Sequence, residues 1–100
     1  MTNNTTFDEV KTRLFPVLKH YVPIVDRVHG EHHPEFHEVR SVFESLVKKT
    51  EAQGTEKPEL SEEFNKLKEI TDNYTIPGDV CESYTAVYNM LAELDSAYLA

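Results

Sequence analysis

The stretch RVHGEHHPEFHEVR, residues 27–40, predicts where one helix ends and the next one begins. Gly30 can adopt the left-handed backbone that often follows a helix terminus, so the first helix should end there. Pro34 suits the first position of a new helix, where its missing N–H would be unpaired in any case. Glu35 and Glu38 then place negative charge at the positive end of the helix dipole. We therefore predict a short connection between two helices.

Before this stretch, apolar residues recur every three or four positions, which is the spacing of one helix face. The predicted buried stripe comprises Phe7, Val10, Leu14, Val17, Tyr21, Ile24 and Val28. Thr6 and Glu9 fit a capping box at its start. Pro16 and Pro23 lie inside the pattern, and each removes a backbone donor. We therefore expect either one kinked helix or two shorter ones.

After Pro34, the same spacing predicts a second helix, with Lys48 and Lys49 at its C-terminal end, and a shorter third helix. The polar linker TEAQGTEKPE, residues 50–59, should separate the two. The predicted buried residues are Phe36, Val39, Phe43 and Leu46 in the second helix and Leu60, Phe64 and Leu67 in the third. The stretch TDNYTIPGD, residues 71–79, then predicts a turn containing Pro and Gly.

The last segment has the most regular pattern, and Asp79 with Glu82 fits a capping box at its start. Its predicted stripe comprises Val80, Tyr84, Val87, Leu91, Leu94 and Tyr98. We predict an all-α fold, an antiparallel up-down bundle of about four helices, because each helix has one apolar face and the connections are short. Residues 1–100 should form a single domain with residues 1–5 as a flexible N-terminus.

The composition excludes several classes of partner. Ten Lys and Arg against 18 Asp and Glu give a net charge of −8, which repels nucleic acid and anionic membrane surfaces. We find no signal peptide and no apolar run long enough to cross a membrane. The single cysteine, Cys81, cannot form an internal disulfide. A reducing, cytoplasmic location is therefore expected.

Four of the five histidines lie between residues 29 and 37, and imidazole is the commonest metal ligand among side chains. The candidate ligands are His29, His32, His33 and His37, with Glu35 and also Glu31 or Glu38 nearby. Gly30 and Pro34 prevent one continuous helix from presenting all of them. Two interpretations stay open: solvated or capping histidines at a helix junction, with His33 as an N-cap, or a site for a single Zn, Ni or Fe ion.

A bundle di-iron centre requires a carboxylate one turn from a histidine on the same helix, usually in several copies. No His-x-x-x-Glu or His-x-x-x-Asp spacing occurs in the sequence, and His32 with Glu35 is the one pair that fits the shorter His-x-x-Glu spacing, at a helix start. A complete di-iron site within one chain is therefore not expected.

Other residues suggest less chemistry. Cys81 should lie in the first turn of the last helix, where the dipole would favour a thiolate and Glu82 would oppose it. A redox thiol and a small buried residue both stay open. Tyr84, Tyr88 and Tyr98 are predicted to serve packing or an interface. No Cys/His or Ser/His/Asp arrangement has the context expected of a nucleophile, and there is no glycine-rich phosphate-binding loop, so an enzyme is not the favoured interpretation.

Two stretches resemble the iron–sulfur cluster repair di-iron (RIC) proteins, whose C-terminal portion is a hemerythrin-like bundle. VDRVHGEHHPEFHEVRSVFESL, residues 25–46, is similar to their Val-His-Gly-x-x-His-Pro-Glu-Leu element and the helix after it. LKEITDNYTIPGDVCESYTAVYNMLAELDSAYLA, residues 67–100, is similar to their last connection and helix, with its Cys-x-x-aromatic and Tyr-Asn-x-Leu-x-Glu-Leu elements. Together they span more than half the chain.

The resemblance implies a bridged di-iron centre and a role in restoring iron–sulfur clusters after nitrosative or oxidative damage. His29 matches a metal-ligating histidine of the family. The other family ligands should fall near Asp8, within residues 48–51, near Lys57 and just past Tyr98, and the sequence lacks them.

We therefore expect an RIC-like iron-binding protein with an incomplete ligand set. Its iron would be mononuclear, or held in a homodimer that combines His29 with His33 or His37 from each chain, or the protein would act as a partner of a longer protein. The alternative is a non-metal interaction module that kept the scaffold and lost the metal site.

Overall fold

A computed structural model of the chain describes residues 7–53 and 59–99, and all of its regular structure is helical. The four helices are α1 (Phe7–His29), α2 (Glu35–Gln53), α3 (Ser61–Ile70) and α4 (Glu82–Leu99). The predicted all-α class is confirmed. The flexible N-terminus, Thr6 of the first capping box, and Lys57 lie outside the described residues. Within those residues no helix is long and apolar enough to cross a membrane.

Aromatic contacts at the two ends of the bundle show that neighbouring helices run in opposite directions. α1 packs against both α2 and α4, and α2 packs against α3. Near the start of α1, Phe7 lies edge to face with Tyr98 near the end of α4. Near the end of α1, His29 lies edge to face with Tyr84 near the start of α4. α1 and α2 are also antiparallel, because Asp26 near the end of α1 pairs with Arg40 near the start of α2, whereas Lys19 pairs with Glu51 near the end of α2.

α1 is one continuous helix through Pro16 and Pro23, so the alternative of two shorter helices is wrong. Its buried face also differs from the prediction after Leu14. The buried apolar residues there are Phe15, Leu18, Val22 and Val25. Val17 and Val28 are instead 38% and 59% exposed. The residues of the predicted stripe are on average 3.5 positions apart. Because a helix has 3.6 residues per turn, such a stripe moves gradually around the helix and away from its buried face.

The predicted core residues of the other three helices are confirmed, apart from Val80 and Tyr98, which are only partly buried. α2 continues to Gln53, so the predicted end at Lys48 and Lys49 is wrong. Lys49 instead forms a 2.7 Å ion pair with the buried carboxylate of Glu63 on α3. This ion pair connects two helices, whereas a C-terminal lysine would only complement the dipole of its own helix.

Gly30 follows the end of α1 as predicted, but its backbone is not left-handed, so the predicted reason is wrong. Its N–H donates to the Asp26 carbonyl at 2.8 Å, continuing the helical pattern for one more residue. A Cβ at this position would overlap the Asp26 carbonyl oxygen and lie 2.6 Å from Cε1 of His37. Glycine therefore suits this position chiefly because the Asp26 carbonyl oxygen is fixed backbone of the same segment, whereas the exposed His37 ring can move aside.

Left-handed backbone occurs instead in the predicted turn after α3, at Asp72, Asn73 and Tyr74. Such conformations are disfavoured for residues other than glycine, asparagine and aspartate, so Tyr74 needs support. Its N–H donates to Thr71 Oγ1 at 2.8 Å, and its hydroxyl donates to the buried Asp95 at 2.8 Å. These bonds fix the connection that leads to the start of α4.

We expect Gly30→Ala to lower the free energy of unfolding by about 1–3 kcal/mol, because the new methyl group overlaps a fixed backbone oxygen. Gly78→Ala is the matched control, since a Cβ there meets nothing within 4 Å. It should stay within about 0.5 kcal/mol of the parent chain. Urea unfolding followed by circular dichroism measures both, and equal stabilities for the two variants would contradict the steric overlap with the Asp26 carbonyl oxygen.

Candidate functional site

Polar side chains converge at the end of the bundle where α1 ends, α2 begins and α4 begins. The ring of Tyr84, which is fully buried, forms the floor of this region. The His29 ring lies 5.3 Å from it and the His33 ring 5.5 Å, both edge to face. We name the four polar residues that meet above this ring the junction cluster: His29, His33, Asp79 and Cys81.

One half of the junction cluster is a contact between His29 Nε2 and Cys81 Sγ at 3.1 Å. Cys81 precedes α4, and its carbonyl accepts the Thr85 N–H at 3.1 Å, so it occupies the N-cap position and not the first turn. The thiol-bearing residue is exposed, contrary to the expectation of a small buried residue. The sequence did not predict this contact, because the two residues are 52 positions apart.

The other half of the junction cluster is the contact between His33 and Asp79, and His33 also contacts the carboxylate of Glu35. Its Nδ1 lies 3.0 Å from Glu35 Oε2 and its Nε2 lies 3.0 Å from Asp79 Oδ1. Carboxylates only accept hydrogen bonds, so both ring nitrogens donate and the ring is an imidazolium. Burial lowers the pKa of His33, but the hydrogen bonds and charges of the two carboxylates outweigh it and raise the pKa above 6.5.

These contacts correct two predicted caps. The His33 side chain does not cap α2, although its carbonyl accepts the Phe36 N–H at 2.9 Å. Asp79 does not form a capping box with Glu82, because α4 begins at Glu82 itself and the Asp79 carboxylate contacts His33. In both cases a contact between distant parts of the chain replaces the local hydrogen bond that the sequence predicts.

The remaining candidate ligands lie outside the junction cluster, and they do not lie together. His37 turns toward α1, where its Nδ1 lies 2.5 Å from Oδ1 of Asp26. His32 is exposed, and its backbone N–H donates to the His29 carbonyl. Glu35 contacts His33 and is thereby brought to the edge of the junction cluster. In the part of the chain that the structure describes, no three His, Cys, Asp or Glu side chains are already arranged to hold a metal ion.

As far as residues 7–53 and 59–99 show, the bundle interior does not fit a di-iron centre. Such a centre needs histidines and free carboxylates projecting inward from several helices. Here the interior next to Glu35 contains the rings of Phe36, Tyr84 and Tyr88, with the two tyrosine hydroxyls 3.1 Å apart. Burial raises the pKa of Tyr84, as does its hydrogen bonding to Tyr88 and Glu35, so its hydroxyl stays neutral.

Each buried carboxylate among the described residues already has a partner on one oxygen, although Oε1 of Glu63 and Oδ1 of Asp95 accept no hydrogen bond. The ion pairs are those of Asp26 with Arg40, Glu63 with Lys49, and Asp95 with Lys68. Moving a carboxylate out of such a pair costs free energy, because a buried charge would lose its partner. The packing role predicted for Tyr84 and Tyr88 is confirmed by their burial.

No family model matches the chain, and no curated protein or solved structure matches it either. The resemblance to RIC proteins therefore stays a prediction that rests on the two quoted stretches. The junction cluster is nevertheless where those stretches meet, because His29 belongs to the first and Cys81 to the second.

The raised pKa of His33 predicts a pH-dependent stability in chelator-treated protein. Because the folded chain binds the His33 proton more tightly than the unfolded chain, the stabilisation is complete below pH 6.5 and is lost as pH rises through the folded pKa. His33→Gln cannot bind this proton and should flatten that pH dependence, whereas the exposed His20→Gln should preserve it. Urea unfolding across this pH range measures the difference, and a His33 ring that titrates below pH 6.5 by NMR would refute the assignment.

Proposed function

We propose that this protein is an RIC-like iron-binding protein that serves the repair of iron–sulfur clusters after oxidative or nitrosative damage, with an incomplete di-iron ligand set. The observation that supports this proposal is the 3.1 Å contact between His29 and Cys81. It joins the two stretches that resemble the family at one point of the bundle. Two stretches that are far apart in the sequence therefore contact each other in the fold.

The surroundings of His29 suit an ion that is held and then released. His29 is half-buried beside the Tyr84 ring, and Cys81 beside it is exposed. An iron ion bound here would be open to an acceptor on one side. Iron is then the cargo that a damaged cluster needs, and the protein is a carrier and not a catalyst. In this role it acts in the cytoplasm, where a single thiol stays reduced.

We expect the protein, purified without a His-tag from iron-supplemented cells under anaerobic conditions, to contain stoichiometric iron. His29→Ala should reduce the iron content to background, because it removes the one ligand that also matches the family. His20→Ala is the control, since His20 is exposed and lies outside the junction cluster. Metal analysis measures all three. Background iron in the parent chain, with unchanged stability of His29→Ala, would contradict the proposal.

A second candidate function is a non-metal interaction module, and a specific surface favours it. Val17 and Val28 are exposed on α1, and Tyr21 and Ile24 are half-buried at the helical spacing between them. Within residues 7–53 and 59–99 this apolar face is only partly covered, which is typical of a surface that meets a partner protein or a second chain. The filled aromatic interior also agrees with a bundle that holds no metal.

The two candidates differ in their response to chelator. A ligand that binds only the folded chain must raise its apparent stability. An interaction module should therefore unfold at the same Tm with and without chelator, whereas an iron-loaded protein should lose stability. Differential scanning calorimetry of freshly purified protein measures this, and a chelator-induced decrease in Tm that His29→Ala abolishes would exclude the interaction module.

A further inference from the structure

We propose that the junction cluster closes around a single tetrahedral divalent ion, of the Zn²⁺ or Fe²⁺ class, with His29, His33, Asp79 and Cys81 as its four ligands. This inference rests on the proposed metal-binding function and specifies its site. It assigns direct coordination to Asp79 and Cys81. It removes His32 and His37 from the ligand set, and makes Glu35 a positioning residue.

The first argument is the separation of the donor atoms within each half of the cluster. In a tetrahedral zinc site, a nitrogen and a sulfur ligand lie about 3.5 Å apart and a nitrogen and an oxygen ligand about 3.4 Å apart. His29 Nε2 and Cys81 Sγ are 3.1 Å apart, and His33 Nε2 and Asp79 Oδ1 are 3.0 Å apart. Each pair therefore already has nearly the spacing of two ligands on one ion.

The second argument is that the two pairs are neighbours on one support. Both imidazoles lie edge to face on the Tyr84 ring, and their ring centres are 6.5 Å apart. Two imidazoles on one tetrahedral ion have ring centres about 5 Å apart. Closing the site requires the two ring centres to approach by about 1–2 Å. His33 lies in the α1–α2 connection and Asp79 in the segment before α4, so the approach of this pair to His29 and Cys81 moves connections and leaves the helices in place.

The third argument is the hydrogen bond between His33 Nδ1 and Glu35 at 3.0 Å. Metal-ligating histidines usually donate their second ring N–H to a carboxylate, which fixes the tautomer and directs the other nitrogen at the metal. Glu35 makes this contact and leaves His33 Nε2 facing Asp79. In the metal-free protein a proton lies between His33 Nε2 and Asp79, and the metal ion would replace that proton.

The donor set decides the class of metal. One thiolate, two imidazoles and one carboxylate suit Zn²⁺ or Fe²⁺, whereas Mg²⁺ and Ca²⁺ prefer oxygen ligands alone. The four residues come from the end of α1, the α1–α2 connection and the segment before α4. One ion would therefore connect three separate parts of the chain, and its binding would raise the apparent stability of the bundle.

Co²⁺ titrated into chelator-treated, reduced protein tests the site, because tetrahedral cobalt with a thiolate ligand absorbs strongly in the visible and near ultraviolet. We expect saturation at one equivalent per chain with a thiolate-to-cobalt charge-transfer band. Cys81→Ser should remove that band, and His33→Ala should weaken binding at least tenfold. Glu35→Gln should weaken binding about tenfold or more while keeping the band. His32→Ala and His37→Ala are the matched controls and should bind as the parent chain does.

Each contrary outcome has a distinct meaning, provided circular dichroism shows that the variants are folded. Cobalt bound without a thiolate band, or equally well by Cys81→Ser, overturns the four-ligand site and leaves the proposed iron function standing. Saturation at half an equivalent overturns closure within one chain. An absence of both cobalt and iron binding in the parent chain overturns the site and the proposed function together.

Discussion

The buried ring of Tyr84 is the constraint on which the functional end of this bundle depends. It contacts His29 at the end of α1, His33 in the following connection, Phe36 in the first turn of α2, and Tyr88 one turn further along α4. Its hydroxyl lies 3.1 Å from that of Tyr88, so the polar end of the side chain is satisfied inside the core. Two histidines can lie side by side at the surface because one rigid ring supports both.

The polar side chains of the bundle are of two kinds, which differ in whether they lie in the interior or above the Tyr84 ring. Those in the interior form ion pairs between helices, as Asp26 does with Arg40, and they are committed to holding the helices together. Those above the Tyr84 ring lie at the edge of the molecule, where His33 is half-buried and Cys81 is exposed. In the proposed site a metal ion would replace the proton of His33 there. The scaffold would then hold one ion at its edge, although its described interior does not fit a di-iron centre.

The regular parts of the fold were predictable because helix periodicity depends on local spacing. The buried faces of α2 and most of α4 follow directly from Phe36, Phe43, Leu91 and Leu94. The buried face of α1 was not predictable in this way, because a 3.5-residue spacing also fits its apolar residues. That spacing assigns Val17 and Val28 to the buried face, although both are exposed. Periodicity alone cannot decide between two apolar faces of one helix; packing against α2 and α4 does.

The candidate site was only half predictable. His29 and His33 were identified from their clustering, but His29 and Cys81 are 52 positions apart, so no local motif joins them. The one signal that includes both is the family resemblance, since each lies in one of its two stretches. Gly30 was placed correctly for the wrong reason, because the close approach of α2 is a tertiary fact.

X-ray absorption at the zinc edge of protein loaded with one equivalent of Zn²⁺ counts the atoms bound to the ion and so distinguishes a site with a thiolate ligand from one without. We expect one sulfur at about 2.3 Å and three nitrogen or oxygen atoms at about 2.0–2.2 Å. A zinc shell with nitrogen and oxygen atoms alone would contradict this expectation.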